Sequence, residues 1–472
     1  MSRNRSSDIP GRRRRAAARG SGRLRRAPIT AVALGSLLAV TTIVLSTQVS
    51  GARGVRAAQH AAQIGAARQW RDHQVAVPCT SGFSGRRGGW CRHVAAATTT
   101  TRPTTTPPTT APPLTTAPTS TPSTSTPPTS APSSTAPGSC APVRITSGGT
   151  YSGCYASTST GTPAVTLATG QPVTLDHARV VAKGAGLQDT VTGTRLRVVD
   201  TTFEQTDPGA VVAHRAIELQ QPSSFVAEHN RFTDGDGIWI GGGNVDPLTV
   251  RYNQAIDIGR YPHPTGSNCC VQFLQLDSVT TGAGEIAWNH TRNTSGRSGV
   301  EDNINLFRSG GSDSAHKLDI HENLIDGAYP LSPSTTTFTG GGILASDGTG
   351  SFGHTAAHDN TVVSTTNYGV GAAGGTDVHL FDNLLVNDTL GSDGSTRFYS
   401  QFGQAVSIHD STASDATNNR YNWRRDSTAS QFPCWMGMFC SGGRQVTTTE
   451  QQARDAWTAS VPAGAQPIGP RP

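Results

Sequence analysis

The feature of this sequence that most constrains its fold is a repeated pattern. A short alternation of apolar and polar residues leads into an Asn, and a second alternation follows. One copy reads FVAEHNRFTDGDGIWIGGG, residues 225–243, and later copies include VRYNQAIDI, IAWNHTRN and HLFDNLLVN. The recurring residues are Asn230, Asn253, Asn289, Asn323, Asn360, Asn383 and Asn419. A repeat of this kind predicts a solenoid, in which each unit buries its apolar face only against its neighbours.

The spacing of these Asn residues indicates the size of one coil. Successive copies lie 23 to 37 residues apart, which fits three short strands per coil, with or without an inserted loop. Asn tolerates the left-handed backbone conformation that a sharp turn requires. Stacked Asn side chains can also hydrogen-bond along a column. We therefore expect each Asn to form a corner of the coil.

Between consecutive corners, the aligned segments AIELQQ, GIWIGG, FLQLDS, NINLFRS, GILASDG, GVGAAGG and AVSIHDS give two apolar rows. The first row is Ile217, Ile238, Leu274, Ile304, Ile343, Val370 and Val406, and the second is Leu219, Ile240, Leu276, Leu306, Ala345, Ala372 and Ile408. Side chains alternate along a strand, so both rows should face inward. The row between them should face outward; it is Glu218, Trp239, Gln275, Asn305, Leu344, Gly371 and Ser407.

The sequence before residue 140 has a different character. It contains 18 Arg against 2 acidic residues, whereas the remainder has 20 Lys and Arg against 30 acidic residues. Residues 1–27 form a basic leader, and residues 28–50 are apolar and uncharged. The arginines predict that the leader stays in the cytoplasm and that the apolar segment anchors the chain in the membrane. A cleaved signal peptide is the alternative, because VSGA at 49–52 offers small residues to a peptidase.

An extended spacer should separate this segment from a folded body at 140–472. Residues 98–139 are almost wholly Thr, Pro, Ser and Ala, which cannot bury a core. In an exported chain, the eight cysteines predict disulfides rather than a metal site. Cys79 with Cys91, in the segment 51–97, and Cys140 with Cys154 would each close a small loop. The pairing of Cys269, Cys270, Cys434 and Cys440 stays open.

The repeat resembles that of the right-handed parallel β-helix proteins, the superfamily of pectate lyases, polygalacturonases and chondroitinase-type lyases. The resemblance covers about residues 160–425, and SGVEDNINLFRSGG and YGVGAAGG look like segments of bacterial members without an assigned reaction. It implies an all-β fold of three-strand coils with short terminal caps. TTTEQQARDAWTAS, near 447–460, predicts a helix that covers the last rung.

The resemblance also implies where a site would lie. In lyases of this superfamily, the outer face of this sheet carries the substrate groove and a calcium ion. Arg308 would be the catalytic base, assisted by Asp302 and Asp236. Calcium would be held by Asp277, Asp302 and Asp347, since carboxylate oxygens suit this ion. The substrate-binding residues would be Trp239, which would stack on a sugar ring, with Gln275, Asn305 and His409.

This alignment places Asp277, Arg308 and Asp347 on adjacent rungs, about 4.8 Å apart. Opposite charges on adjacent rungs can also form a purely structural ladder. A hydrolase is a further alternative, because TDGDGIWI resembles the Asp-bearing strand of polygalacturonases. That match stops at Asp234 and Asp236, so paired carboxylates of the polygalacturonase type are not otherwise indicated.

Two functions therefore remain open. One is a calcium-assisted lyase that acts on an acidic glycan, either anchored at the cell membrane or secreted. The other is a non-catalytic glycan-binding or adhesive domain on a stalk. The excess of acidic residues after residue 139 argues against a broad surface for anionic substrates unless calcium mediates. Because the basic residues lie in the leader, we expect no nucleic-acid partner, and we expect a monomer.

Overall fold

The structure is a computed structural model of the 472-residue chain. It describes residues 140–206, 214–259, 271–330, 332–333, 340–398, 404–423, 434–435, 440–441 and 443–472. The leader, the apolar segment, the Cys79 and Cys91 segment and the spacer lie outside these residues, as do Cys269 and Cys270. Within the described ranges, no helix is both long and apolar enough to cross a bilayer.

The described chain consists of thirty short strands followed by one α-helix. The first fifteen strands are β1 (Val143–Ile145), β2 (Gly149–Ser157), β3 (Val165–Leu167), β4 (Pro172–Ala182), β5 (Leu187–Asp189), β6 (Arg195–Val199), β7 (Thr202–Gln205), β8 (Arg215–Gln220), β9 (Ser224–Glu228), β10 (Arg231–Thr233), β11 (Asp236–Asn244), β12 (Leu248–Arg251), β13 (Gln254–Ile256), β14 (Leu274–Thr281) and β15 (Gly284–Ala287). The rest are β16 (His290–Arg292), β17 (Asp302–Phe307), β18 (Gly310–Gly311), β19 (Leu318–His321), β20 (Leu324–Ala328), β21 (Gly341–His358), β22 (Thr361–Thr365), β23 (Tyr368–Phe381), β24 (Leu384–Asn387), β25 (Gln404–His409), β26 (Asp415–Thr417), β27 (Arg420–Trp423), β28 (Cys434–Trp435), β29 (Cys440–Ser441) and β30 (Arg444–Gln445). Helix α1 (Glu450–Ser460) and a 3-10 turn (Ala463–Ala465) follow.

These strands pair in parallel into three stacks. Face A contains β8, β11, β14, β17 and β25, together with the first parts of β21 and β23. Face B contains β6, β9, β12, β15, β19, the later parts of β21 and β23, and β26. Face C contains β7, β10, β13, β16, β20, β22, β24 and β27. The predicted parallel β-solenoid is therefore present, and the right-handed sense of its coil stays a prediction.

The two apolar rows of face A pack as the sequence predicts. Ile217, Ile238, Leu274, Ile304, Ile343, Val370 and Val406 pair in register from rung to rung. Both rows are buried, except that Ile408 in the second row is partly exposed. Because each rung contributes only a few apolar side chains, the core is continuous along the stack rather than centred in any one coil.

The repeated Asn residues form one buried hydrogen-bonded column, here called the Asn ladder. Both the backbone N–H and the side-chain amide of Asn230 donate to Oδ1 of Asn253, each at 2.9 Å. The same pair of bonds recurs down the column to Asn419. Each amide in the column also donates to a backbone carbonyl, as Asn253 does to Ala227. Thr201 precedes the ladder, and its backbone N–H donates to Oδ1 of Asn230.

The prediction that these Asn residues take the left-handed conformation is wrong. Positive φ belongs to the residue immediately before each of them: His229, Tyr252, Trp288, Glu322, Asp359, Asp382 and Asn418, with φ between 52° and 58°. The corner therefore needs two residues. The first makes the turn, and the Asn that follows binds the turn to the next rung.

A segment after the last rung returns along the side of the solenoid; residues 449–471 are here called the strap. Helix α1 begins at a capping box formed by Thr449 and Gln452. Its Trp457 packs beside Trp288 and donates Nε1–H to the carbonyl of Glu322 at 2.7 Å. The prediction that this helix covers the last rung is therefore wrong in its placement, because α1 lies against β22 and β24.

Beyond α1, the strap reaches progressively earlier rungs. Gly469 donates its N–H to the carbonyl of Tyr252 at 2.8 Å. Arg471 then binds the carboxylate of Asp200 through Nε and Nη2. The strap thus joins rungs that are far apart in the stack. At the other end of the described chain, the predicted disulfide between Cys140 and Cys154 is confirmed, with Cα atoms 5.0 Å apart.

Candidate functional site

The middle row of face A points away from the core but is not open to solvent. Trp239, Gln275 and Asn305 occupy successive rungs in register, with exposures of only 6%, 6% and 4%. The alternation that turns their neighbours Ile238 and Ile240 into the core turns these side chains outward. The sequence predicts their direction correctly, whereas their burial was not expected.

Several hydrogen-bonding atoms of this row have no partner. Among the described residues, Nε1 of Trp239, Oε1 of Gln275 and Oδ1 of Asn305 are buried without a hydrogen bond, as is Oδ2 of Asp236. Each such group costs about 1–3 kcal/mol when it loses water without gaining a partner. Most buried polar atoms in proteins are paired. Unpaired buried atoms also occur on successive rungs of face C, at Thr365, Asn387 and Trp423, so such a run is not confined to face A.

The ring of Trp239 is held by two neighbours. A Cβ placed on Gly241 would lie only 2.1 Å from Cη2 of Trp239, so the ring rests directly on that glycine. The guanidinium of Arg215, on the preceding rung, lies 4.4 Å from the ring centroid, which is a cation–π contact. The open ring face that sugar stacking requires is therefore covered by Arg215 in this structure.

Asp236 lies at the edge of the same sheet, paired in register with Arg215. Burial raises the pKa of its carboxyl to about 7, against the opposing effect of the Arg215 charge. Sequence reasoning missed Arg215. Extending the aligned rows two residues toward the start of each strand would have placed it beside Asp236.

Two further carboxylates share one amide. Nδ2 of Asn305 donates to Oδ2 of Asp302 at 3.1 Å and to Oδ2 of Asp347 at 3.2 Å. The phenol of Tyr368 donates to the other oxygen of Asp302. A Cβ on Gly341 would lie 2.2 Å from Oδ1 of Asp302. A glycine at this position therefore leaves room for the hydrogen bond between Tyr368 and Asp302. We call Asp302 and Asp347 the carboxylate pair.

The electrostatics of the carboxylate pair favour retention of a proton. Burial raises the pKa of Asp302 to about 7, despite its hydrogen bonds from Tyr368 and Asn305, and the charge of Asp347 acts in the same direction. Burial likewise raises the pKa of Asp347, while Asn305 and the nearby His409 oppose the shift. Two interacting buried acids titrate as a unit, so near neutral pH the pair can hold a proton on one carboxyl while the other is ionised.

The predicted alignment of Arg308 with Asp347 is wrong by one residue. A register shift between Asn305 and Phe307 pairs Phe307 with Asp347. Arg308 instead occupies an exposed turn with φ of 51°. Asp277 pairs with Phe307, and burial raises its pKa although the charges of Arg215 and Arg308 lower it. Asp277 thus lies within the electrostatic reach of Arg308, while its carboxylate hydrogen-bonds to Ser278.

The carboxylates proposed for calcium do not converge. Calcium needs six to eight oxygen ligands at about 2.3–2.6 Å. Asp277 lies two rungs from Asp347, and an amide N–H group stands between Asp347 and Asp302. In the described part of the chain, one group of three possible ligands does lie close together: Asp176, His177 and Asp200. There Arg471 already binds Asp200, so neither set fits a calcium ion as arranged.

Face B shows what a satisfied solenoid face looks like. Glu228 pairs with Arg197 at 2.8 Å and with Arg251 at 2.7 Å, and Arg251 continues to Glu285 at 3.2 Å. His321 adds contacts to Glu285 and Glu322. The structural ladder of alternating charges considered for Asp277 and Arg308 is therefore found here, on a different face. Its charges are paired, whereas the middle row of face A keeps unpaired polar atoms.

Comparisons with known proteins give little further guidance. No family model matches this chain, and no curated protein matches it. Among solved structures, it is similar to tailspike protein 3 of bacteriophage CBA120, with 10% identity and a TM-score of 0.24. The match covers 63% of this chain and 50% of that one. A likeness this distant supports no inference about activity.

Proposed function

We propose that the protein binds a polysaccharide along the outer surface of face A. The observation that carries this proposal is the row of buried polar atoms without partners on Trp239, Gln275 and Asn305. The indole is a donor, whereas the two amide oxygens are acceptors. Sugar hydroxyl groups supply both donors and acceptors. The three side chains are only 4–6% exposed, so a glycan chain lying across successive rungs could satisfy these atoms only after covering side chains such as Arg215 move aside.

The amide orientation at Asn305 supports this assignment. Its Nδ2 must face the two carboxylates, because reversing the amide would bring its oxygen against their oxygens. Oδ1 therefore stays directed away from the carboxylate pair and remains an acceptor for a ligand. On face B, by contrast, the charged side chains of Arg197, Glu228, Arg251 and Glu285 pair with one another along successive rungs.

Hydrolytic cleavage of the bound chain is the second candidate function, and the carboxylate pair favours it. A protonated carboxyl of the pair would give its proton to the glycosidic oxygen as the C–O bond breaks. Because both carboxylates bond one nitrogen, at 3.1 and 3.2 Å, they lie too close together to hold the attacking water between them. The ionised partner would instead form a bond to the sugar carbon, and a water that gives its proton to the first carboxyl would then displace it. The lyase predicted from the sequence requires calcium between Asp277, Asp302 and Asp347, so no step is assigned to it.

The experiment measures glycan binding and stability together. Retardation of the full-length protein in gels that contain individual polysaccharides gives dissociation constants, and denaturant unfolding gives stability. Gln275→Leu removes an unsatisfied buried acceptor, so we expect unchanged or greater stability and binding weaker by about tenfold, the worth of about 1.4 kcal/mol. A residue with a purely structural role would not separate the two readouts in this way.

Thr249→Val is the matched control, because Thr249 occupies an outward position on face B. We expect it to leave binding unchanged. Equal binding by the wild type and Gln275→Leu would contradict the proposal. For the second candidate, Asp302→Asn and Asp347→Asn should each abolish the release of reducing ends by a binding-competent protein. The absence of any release by the wild type would leave a binding protein without this activity.

We also propose that the solenoid acts outside the membrane. The basic leader, the apolar segment and the Thr/Pro-rich spacer predicted from the sequence support this location. A retained anchor would display the solenoid at the cell surface, whereas cleavage would release it. Fractionation of cells that express the full-length chain, with protease treatment of intact cells, distinguishes these two outcomes from an internal location.

A further inference from the structure

We infer that the polysaccharide bound by face A is uncharged, and that polyuronates are disfavoured. This inference rests on the proposed function and narrows its substrate class. It departs from the acidic glycan expected from the sequence resemblance. Two independent properties of the face support it: the balance of its charges and the kind of hydrogen-bonding atom it leaves unpaired.

The charge balance of face A disfavours an anionic ligand. The described acidic side chains on or beside the middle row of face A are Glu218, Asp236, Asp277, Glu301, Asp302 and Asp347. The described arginines in the same region are Arg215 and Arg308. Arg215 lies over the Trp239 ring, and Arg308 lies in an exposed turn after its strand. Near neutral pH the carboxylate pair holds one proton and Asp236 is only partly ionised, but the remaining acids still outnumber the two arginines. A chain that carries one carboxylate per sugar would therefore meet more like charge than opposite charge, in surroundings that screen it poorly.

The unpaired atoms of face A are mainly hydrogen-bond acceptors. Three of the four are oxygens, on Asp236, Gln275 and Asn305, and only Nε1 of Trp239 is a donor. A ligand that satisfies them must bring mainly donors. A hydroxyl group donates a hydrogen bond, whereas an ionised carboxylate only accepts. Replacing a sugar carboxylate by a hydroxymethyl group therefore improves both the hydrogen bonding and the electrostatics.

Ligand charge should also be linked to the ionisation of Asp236. Burial raises the pKa of this carboxyl to about 7. An anionic ligand placed over it would oppose its ionisation, so polyuronate binding should weaken further as pH rises from 6 to 8. An uncharged ligand lacks this direct repulsion, so the preference for it should increase over the same interval.

The test uses one polymer in two charge states. Full-length protein is titrated with polygalacturonate and with its carboxyl-reduced form, together with a panel of neutral glucans, mannans and xylans and the acidic polymers alginate and hyaluronate. Each titration is run at pH 6 and pH 8, with calcium and with chelator. We expect the carboxyl-reduced polymer to bind at least about tenfold more tightly than its parent, or another neutral polymer to bind at least tenfold more tightly than every acidic one.

The outcomes separate the two proposals. Tighter binding of polygalacturonate or another acidic polymer, with or without calcium, overturns the inference and leaves the proposed function standing. Failure of every polymer to bind overturns the proposed function and this inference with it. Asp277→Asn provides a second measurement: removal of one carboxylate from the face should narrow the preference for the neutral polymer by about threefold or more. An unchanged ratio in this variant would contradict the electrostatic basis of the inference.

Discussion

Asp382 and Asn383 are adjacent in the chain but perform opposite tasks at one corner of the coil. Asp382 adopts a φ of 55° and turns the backbone, whereas Asn383 accepts bonds from the N–H and the side-chain amide of Asn360. Asn383 is fully buried, and Asp382 is partly exposed. The conformation and the hydrogen bonding of the corner can therefore be tested separately.

Glycine substitutions at these two residues should have very different effects. Asp382→Gly should leave the free energy of unfolding within about 1 kcal/mol of the wild type, because glycine adopts positive φ freely. Asn383→Gly should cost about 3 kcal/mol or more, because two buried donors of Asn360 lose their acceptor. Denaturant unfolding measures both. Asp382→Val is the companion variant and should cost about 1–2 kcal/mol through backbone strain. Equal losses in the two glycine variants would refute this division of roles.

Much of this architecture could be predicted from the sequence, for an identifiable reason. Alternation and a recurring Asn report burial and periodicity, so the rows that contain Ile304 and Leu306 are correct to the residue. The conformation of the corner could not be predicted in the same way. Six residue types, as different as Trp288 and Asp382, make the turn at the seven corners, because the backbone and not the side chain defines it.

The candidate site was less predictable than the core. A single register shift after Asn305 displaced Arg308 from Asp347, and spacing in the sequence cannot show such a shift. The shared amide of Asn305 and the phenol of Tyr368 depend on side chains from different rungs that meet at an edge. Placement of the strap was equally hidden. The helix pattern predicts that α1 exists, but not which rungs it contacts.

The contact between the strap and Asp200 should contribute measurably to stability. Burial alone would raise the pKa of Asp200, but hydrogen bonds from Arg471 hold it below its usual range. Arg471→Ala removes those bonds and should cost about 1–2 kcal/mol, limited by the solvent that reaches the arginine. Hydrogen exchange at amides 195–205 should accelerate with it. Arg144→Ala, an exposed arginine of β1, is the control and should change neither quantity.

The charged ladder on face B should make the protein less stable as pH rises above about 6.5. Burial alone would lower the pKa of His321, but hydrogen bonds to Glu285 and Glu322 raise it to about 9. A raised histidine pKa stabilises fully below the unfolded value near 6.5, and this contribution is lost as pH rises from there through about 9. The part due to His321 should be about 1 kcal/mol after screening at the half-exposed glutamates.

Unfolding of the wild type and His321→Gln at pH 6 and pH 9.5 checks this prediction. The wild type should lose more stability over the interval than the variant does. His316→Gln changes an exposed histidine five residues earlier in the chain, and this variant should behave like the wild type. Identical losses in the wild type and His321→Gln would show that the titration resides elsewhere.

Asp236 should make folding stability depend on pH in the acidic range, below the range in which His321 acts. Its folded pKa near 7 lies above the value of about 3.9 in an unfolded chain, so the folded state retains a proton that the unfolded state releases. Stability from this group therefore falls as pH rises from about 4 to about 7. Asp236→Asn removes that dependence, and its stability relative to the wild type should rise over this interval by about 1–3 kcal/mol. Asp234→Asn should show no such trend; a flat difference for Asp236→Asn would contradict the prediction.

The strap has a consequence for how the molecule is completed. During synthesis, Asp200 leaves the ribosome well before Arg471, which neutralises it, because Arg471 follows 271 residues later. The early coils can stack while synthesis proceeds, but the strap can bind them only when the whole solenoid has emerged. The last contact to form is therefore on one of the first coils. A nascent chain halted before the strap would leave these coils less stable and exposed to proteases and chaperones.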